Sequence, residues 1–204
     1  MAVLGLTKLE MLNQVAEAIG LPPATALPSS VPDTTSIYAR AEDTLDRVGR
    51  RVLGKGWPFN TVQAKAHTAS GGGNAITVAS TVLRIRCVAP GRYKDRLALQ
   101  GDTVYLMDDD TTDFGSAVTV YLDLINDLAD IEDASPDVKE LIAAEAAKEF
   151  QRRQKGSRIQ DAFLSEETTR ADIHADRNMR EGDKTWNPAP LVAPSPSRDT
   201  RSDE

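Results

Sequence analysis

Apolar positions recur every three or four residues near both ends of the chain and every second residue in its middle, and this change of period sets the predicted architecture. Leu9, Leu12, Ala16 and Ile19 form a first helical stripe. It opens with Thr7 and Glu10 at capping-box spacing and with Leu6 and Met11 placed for a hydrophobic staple. It stops at Gly20, before Pro22 and Pro23. Four prolines between Leu21 and Pro32 predict an extended connection. Asp33 to Thr35 are N-cap candidates for a second helix reaching about Leu53, with Ile37, Ala41, Leu45, Val48 and Val52 facing inward. Gly54 and Gly56 end it, and Pro58 pushes Trp57 out of helical backbone.

From Thr61 to Ile125 the period falls towards two. Leu83, Ile85 and Cys87, and then Val118, Val120, Leu122 and Leu124, alternate with polar residues as strands with one wet face do. Gly71, Gly72, Gly73 and Asn74 suit a hairpin loop, and Gly101 with Asp102 a tight turn. These signals predict one antiparallel sheet of about four or five strands. Ser135, Pro136 and Asp137 then announce a third helix with Val138, Ile142, Ala146 and Phe150 in one row. Gly156 ends it. Ser157 and Gln160 repeat the capping-box spacing before a fourth helix through Ile159, Phe163, Arg170 and Ile173 to about Glu181. Beyond Lys184 the chain is rich in Pro, Ser and charge, and cannot build a core of its own.

The expected fold class is therefore α+β, a four-helix body with a small antiparallel β-sheet inserted between helices two and three and an extended C-terminal tail. Residues 1–60 supply the N-terminal helices, 61–134 the inserted β region, 135–184 a C-terminal helical hairpin and 185–204 the Pro-rich tail.

The chain has 204 residues and a formal net charge of -7, which disfavours a surface that grips nucleic acid all round. A lone Cys87 cannot form an intrachain disulfide, no secretory leader opens the chain, and its apolar runs are too short to span a bilayer, so cytosolic synthesis and no membrane partner are expected. The charges are segregated. Asp108, Asp109, Asp110, Asp113, Asp123, Asp127, Asp130, Glu132, Asp133 and Asp137 run without a Lys or Arg between Asp108 and Asp137. Arg84, Arg86, Arg92, Lys94 and Arg96 lie in or beside the strands, broken only by Asp95.

The order of elements, with Gly54-Lys55-Gly56-Trp57-Pro58-Phe59-Asn60 closing the second helix, resembles the tail tubular protein A, or head-to-tail adaptor, family of short-tailed, podovirus-type bacteriophages. The segment Leu12 to Pro23 resembles the family's opening helix, which ends in a similar Ile-Gly-x-Pro-Pro step. Asp113 to Val120, Ala146 to Arg153, and Glu166-Glu167 followed by Ala171 carry further likeness. It spans roughly Lys8 to Arg177; the Gly71 to Asn74 loop is shorter than in the relatives, and the Pro-rich tail departs from them. The resemblance implies a virion structural protein, not an enzyme, that needs no cofactor or metal. It implies a dodecameric ring between the head portal and the nozzle protein of the tail, with the genome passing through its channel without sequence-specific binding. Tail fibres are a further candidate partner.

Each motif also has a plainer explanation. Asp108, Asp109, Asp110 and Asp113 lack the ligand spacing of a calcium loop, so a solvated turn is preferred over a metal site. In a ring they would line the channel, where negative charge lets DNA slide, or meet a neighbour. The basic set lacks interleaved aromatics and is a solvated strand face or, in a ring, the complement of the next subunit's acidic stretch. His67 and His174 have no spaced partners and Cys87 sits on an apolar strand face, so none is read as catalytic. The glycines before the strand lack the Lys-Ser/Thr of a phosphate loop. Trp57, Pro58, Phe59 and Asn60 form a structural corner, with the two aromatics expected in the core rather than as an exposed anchor. Trp186, Pro188, Pro190 and Leu191 are candidate portal-binding residues. The alternatives are a head-completion or connector protein of another tailed phage and, from a different class, a metal-dependent hydrolase built on Asp108 to Asp113.

Overall fold

A computed structural model describes residues 6–30, 36–70, 73–115 and 118–183. Helix α1 (Lys8–Glu17) begins with the predicted capping box: Glu10 N–H donates to Thr7 Oγ1 at 3.2 Å, and Thr7 N–H donates to the Glu10 carboxylate at 2.8 Å. Caps of this kind stabilise a helix by roughly 0.5–2 kcal/mol. Helix α2 (Ile37–Leu53) is capped by Ser36, whose hydroxyl accepts from Ala39 N–H. The candidates Asp33 to Thr35 lie outside the described residues. Helix α3 (Pro136–Gln154) starts after Ser135 as expected, but the Ser135 hydroxyl caps nothing and is buried without a partner. Gly156, at a φ of 60°, turns the chain into α4 (Arg158–Asp183).

One apolar cluster unites the helices. Met11, Leu12 and Val15 of α1 meet Leu45, Val48 and Val52 of α2 and Val138, Ile142, Ala146 and Phe150 of α3. Gly49 permits close packing here, because a Cβ on it would lie 2.6 Å from Ile131 Cδ1. Helix α4 contributes Leu164 and Ala175, with Ala171 and Met179 partly buried. Ile159, Phe163 and Ile173 point the other way and are exposed. At the α3–α4 corner the Gln160 side chain does not complete a second capping box. The fully buried Gln151 takes it instead, Nε2 donating to Gln160 Oε1 and to Ser157 O, both at 3.3 Å.

The β region forms two three-stranded antiparallel sheets, not one sheet of four or five strands. The first orders β1 (Thr61–Thr68), β6 (Thr119–Asn126) and β3 (Val82–Ala89) as β1-β6-β3; the second orders β2 (Ile76–Thr77), β5 (Thr103–Leu106) and β4 (Leu97–Gln100) as β2-β5-β4. Their facing side chains, among them Ile76, Ile85, Cys87, Val104, Val120, Leu122 and Leu124, make a second core. A two-layer arrangement follows from the alternation itself, since each strand has one apolar face and another sheet must cover it. The tight turn at Gly101, φ 65°, joins β4 to β5 as predicted. Ser70 bridges Ala75 across the glycine loop, of which Gly71 and Gly72 lie outside the described residues. Leu83 is displaced from the expected row by an irregularity between Val82 and Arg84, and packs against the helical core.

Candidate functional site

The corner motif is where the two cores join. Trp57 is extended at φ -97°, buried, and donates from Nε1 to Val52 O at 2.9 Å. Asn60 is 3% exposed and uses its whole amide: Oδ1 accepts from Trp57 N–H at 2.8 Å, and Nδ2 donates to Leu53 O at 3.0 Å and to Asn126 O at 2.9 Å. One side chain thus ties the end of α2 to the end of β6. Pro58 and Phe59 lie outside the core, Phe59 with 39% of its surface exposed, so the two aromatics of the motif part company.

Part of the charge of the helical body is paired within it. Glu149 receives Arg47 at 2.9 Å, Arg51 at 2.9 Å and Arg153 at 2.8 Å, while Arg51 also reaches Glu145 at 3.0 Å and Lys55 reaches Asp172 at 3.0 Å. Desolvation pushes the Glu149 carboxyl upward, but the arginines outweigh it and hold its pKa below the ordinary value. Between α1 and α2, buried Glu42 accepts from Ser29 N–H at 2.9 Å and Ser29 Oγ at 2.5 Å, and pairs with Lys8 at 3.1 Å. Its pKa is lowered in the same way, burial opposing and Ser29 with Lys8 prevailing.

The acidic stretch does not converge on one point. Asp123 accepts from Ala64 N–H, Asp113 from Gly115 N–H, Asp130 from Glu132 N–H and Glu132 from Lys8 N–H. Asp127 pairs with Arg50 at 3.4 Å and Asp108 with Arg96 at 3.1 Å. Among the described residues, no three His, Cys, Asp or Glu side chains gather so as to hold a metal. Asp108, Asp109 and Asp110 occupy an exposed turn after β5, closed by a bridge between Leu106 and Thr111, with Asp110 at a φ of 53°. Asp113 is also exposed.

The basic residues lie on β3 and in the segment that leads from it into β4. Arg84, Arg86 and Asp95 line a groove of about 420 Å³ between β3 and β4, strands that each pair on one side only among the described residues. Arg92 stacks over Tyr93, its guanidinium carbon 4.8 Å from the ring centroid, and Tyr93 meets Phe114 edge-on at 5.8 Å. Arg84, Arg86 and Lys94, like Asp109 and Asp110, make no ion pair among the described residues. Sequence spacing did not foresee that Arg96 and Asp108 would be partners within one chain.

The remaining reactive side chains lie apart from one another. Cys87 is buried between the sheets, and burial pushes its thiol pKa up, away from nucleophilic character. Burial first and Lys65 second lower the His67 pKa, and its Nε2 is buried without a partner. His174 lies exposed on α4. Trp186, Pro188, Pro190 and Leu191 lie outside the described residues. No helix among the described residues is long and apolar enough to cross a membrane.

A family model described as tail tubular protein matches residues 9–185. No curated protein sequence matches the chain. The family match begins in α1, runs through both β layers and ends just beyond α4, so it takes in both cores and the corner between them. The chain belongs to the tail tubular protein family, whose role is structural and whose place is the phage tail.

Proposed function

We propose that the protein is the repeating subunit of a dodecameric adaptor ring, seated on the head portal at one face and on the tail nozzle at the other, with the genome held and ejected through its channel. The part it plays is assembly and not catalysis. The observation that supports this is a set of charges of both signs in the β region that the described subunit does not pair. Arg47, Arg51 and Lys55 of the helical body pair with its own carboxylates, whereas Arg84, Arg86 and Lys94 of the β region, and Asp109 and Asp110 of the turn after β5, have no ion pair among the described residues. Unpaired charges of both signs suit a head-to-tail contact that repeats around a ring. The acidic turn has a second use in the same ring, as channel wall that repels phosphate.

A charge-exchange experiment tests the contact. Reversal of Arg84, Arg86 and Lys94 to Glu, or of Asp109 and Asp110 to Lys, should each abolish ring formation on portal, and a mixture of the two variants should recover it. Electron microscopy of protein with portal reads the outcome; no recovery in the mixture would sink the pairing. The tail from about Thr185, with Trp186 and Leu191 as apolar anchors and Pro188 and Pro190 stiffening the segment, is the proposed portal contact. Truncation after Lys184 should leave the thermal midpoint of the free subunit unchanged and weaken portal attachment at least tenfold, about 1.4 kcal/mol. Undiminished attachment would remove the tail from that role.

A further inference from the structure

The outer face of α4 carries exposed large apolar residues. Ile159, Phe163 and Ile173 are 86%, 71% and 61% exposed, far beyond what large apolar side chains keep when one helix covers another. At about 100° per residue these three, with Glu166, Arg170 and Arg177, lie within about 80° of one another around the helix axis. They form one stripe. Ile159 and Phe163 also wall a groove of about 560 Å³ floored by Ala143, Ala144 and Ala147, so the stripe has concave ground beside it. Glu166 and Arg170 form an ion pair at its middle, 2.6 Å apart and both exposed.

We infer that two copies of the chain pair through this face in antiparallel fashion, about a two-fold axis at the level of Thr168. That axis sets Phe163 opposite Ile173 of the second copy, Glu166 opposite Arg170, and Ile159 along the aliphatic stem of Arg177. Every position in the stripe then meets a complement: apolar meets apolar, and the central pair becomes a ring of four alternating charges. A parallel pairing brings Glu166 onto Glu166 and Arg170 onto Arg170, which like-charge repulsion disfavours. The stripe is about 27 Å long at 1.5 Å per residue, so the buried area falls short of the ~1,200 Å² of a stable complex and the dimer is weak and concentration-dependent. Such a contact is isologous and cannot propagate around a ring, so it belongs to the subunit outside the ring. It stands whether or not the adaptor reading does.

Sedimentation of the isolated full-length chain, without portal, tests this. A dimer fraction should rise between micromolar and millimolar concentration. Glu166→Arg and Arg170→Glu, both on the exposed face and harmless to the core, should each weaken it about tenfold. The double exchange should restore it. Register is read by disulfide trapping: a Phe163→Cys chain mixed with an Ile173→Cys chain should cross-link, while each variant alone should not. A chain that stays monomeric throughout, or a mixture no more cross-linked than its components, overturns the pairing.

Discussion

Asn60→Ala is expected to lower the unfolding free energy by about 1–3 kcal/mol, because it leaves the buried Trp57 N–H without an acceptor and takes a donor from two carbonyls. Those carbonyls are Leu53 O, which keeps Gly56 N–H as a donor, and the part-buried Asn126 O. A domain of this size has only about 5–15 kcal/mol in total, so the loss should be plain in an unfolding curve. Asn60→Asp sharpens the test. It keeps an acceptor for Trp57 but turns two donors into a carboxylate facing two carbonyl oxygens. Burial and those oxygens raise the pKa of the new acid, so its neutral form is the tolerated one. The penalty should therefore be largest at neutral pH and shrink as the pH falls, the reverse of an ordinary acidic surface residue. Urea unfolding of both variants across pH decides it; a loss under 1 kcal/mol for the alanine variant would mean that water replaces the amide freely.

Gly56→Ala should cost about 2–5 kcal/mol through two separable effects. The residue sits at a φ of 84°, where a side chain costs about 1–2 kcal/mol. Its Cβ would also lie 2.7 Å from Ile125 Cδ1, a clash in a packed interior worth about 1–3 kcal/mol more. Ile125→Val removes that Cδ1 and should relieve the second effect but not the first. The double variant should then be less destabilised than the sum of the two single changes, by about 1–2 kcal/mol. Strict additivity in denaturant unfolding would place the whole cost in backbone conformation.

Local chemistry made much of this fold legible in the sequence. The Thr7–Glu10 box, the Ser135-Pro136 start, the extended Trp57 before Pro58 and the Gly101 turn are all decided by neighbours within four residues. What escaped was decided at long range. A period of two says which face of a strand is wet, not which strand lies beside it, and β1 pairs with β6 across some sixty residues, as Val62 with Leu124. Two sheets therefore looked like one. The face of α4 was ambiguous because Leu164, Ala171 and Ala175 compete with Ile159, Phe163 and Ile173 for the inward side, and only the position of α3 decides between them. The acidic run read as a single feature because its work is done on distant backbone N–H groups, such as those of Ala64 and Lys8. Asn60 gave no sign beyond its place in the corner motif, since an amide with three partners is spelled like any other Asn.

The separation of the two apolar clusters has a consequence for how such proteins change. The helices hold one another through α1, α2 and α3 without borrowing from the interior of the paired sheets. Loops on the far layer can lengthen or shorten at a chain-closure cost of only about 0.6 kcal/mol per doubling, leaving the helical framework untouched. Changes of loop length are thus absorbed in the half of the molecule whose interior the helices do not share.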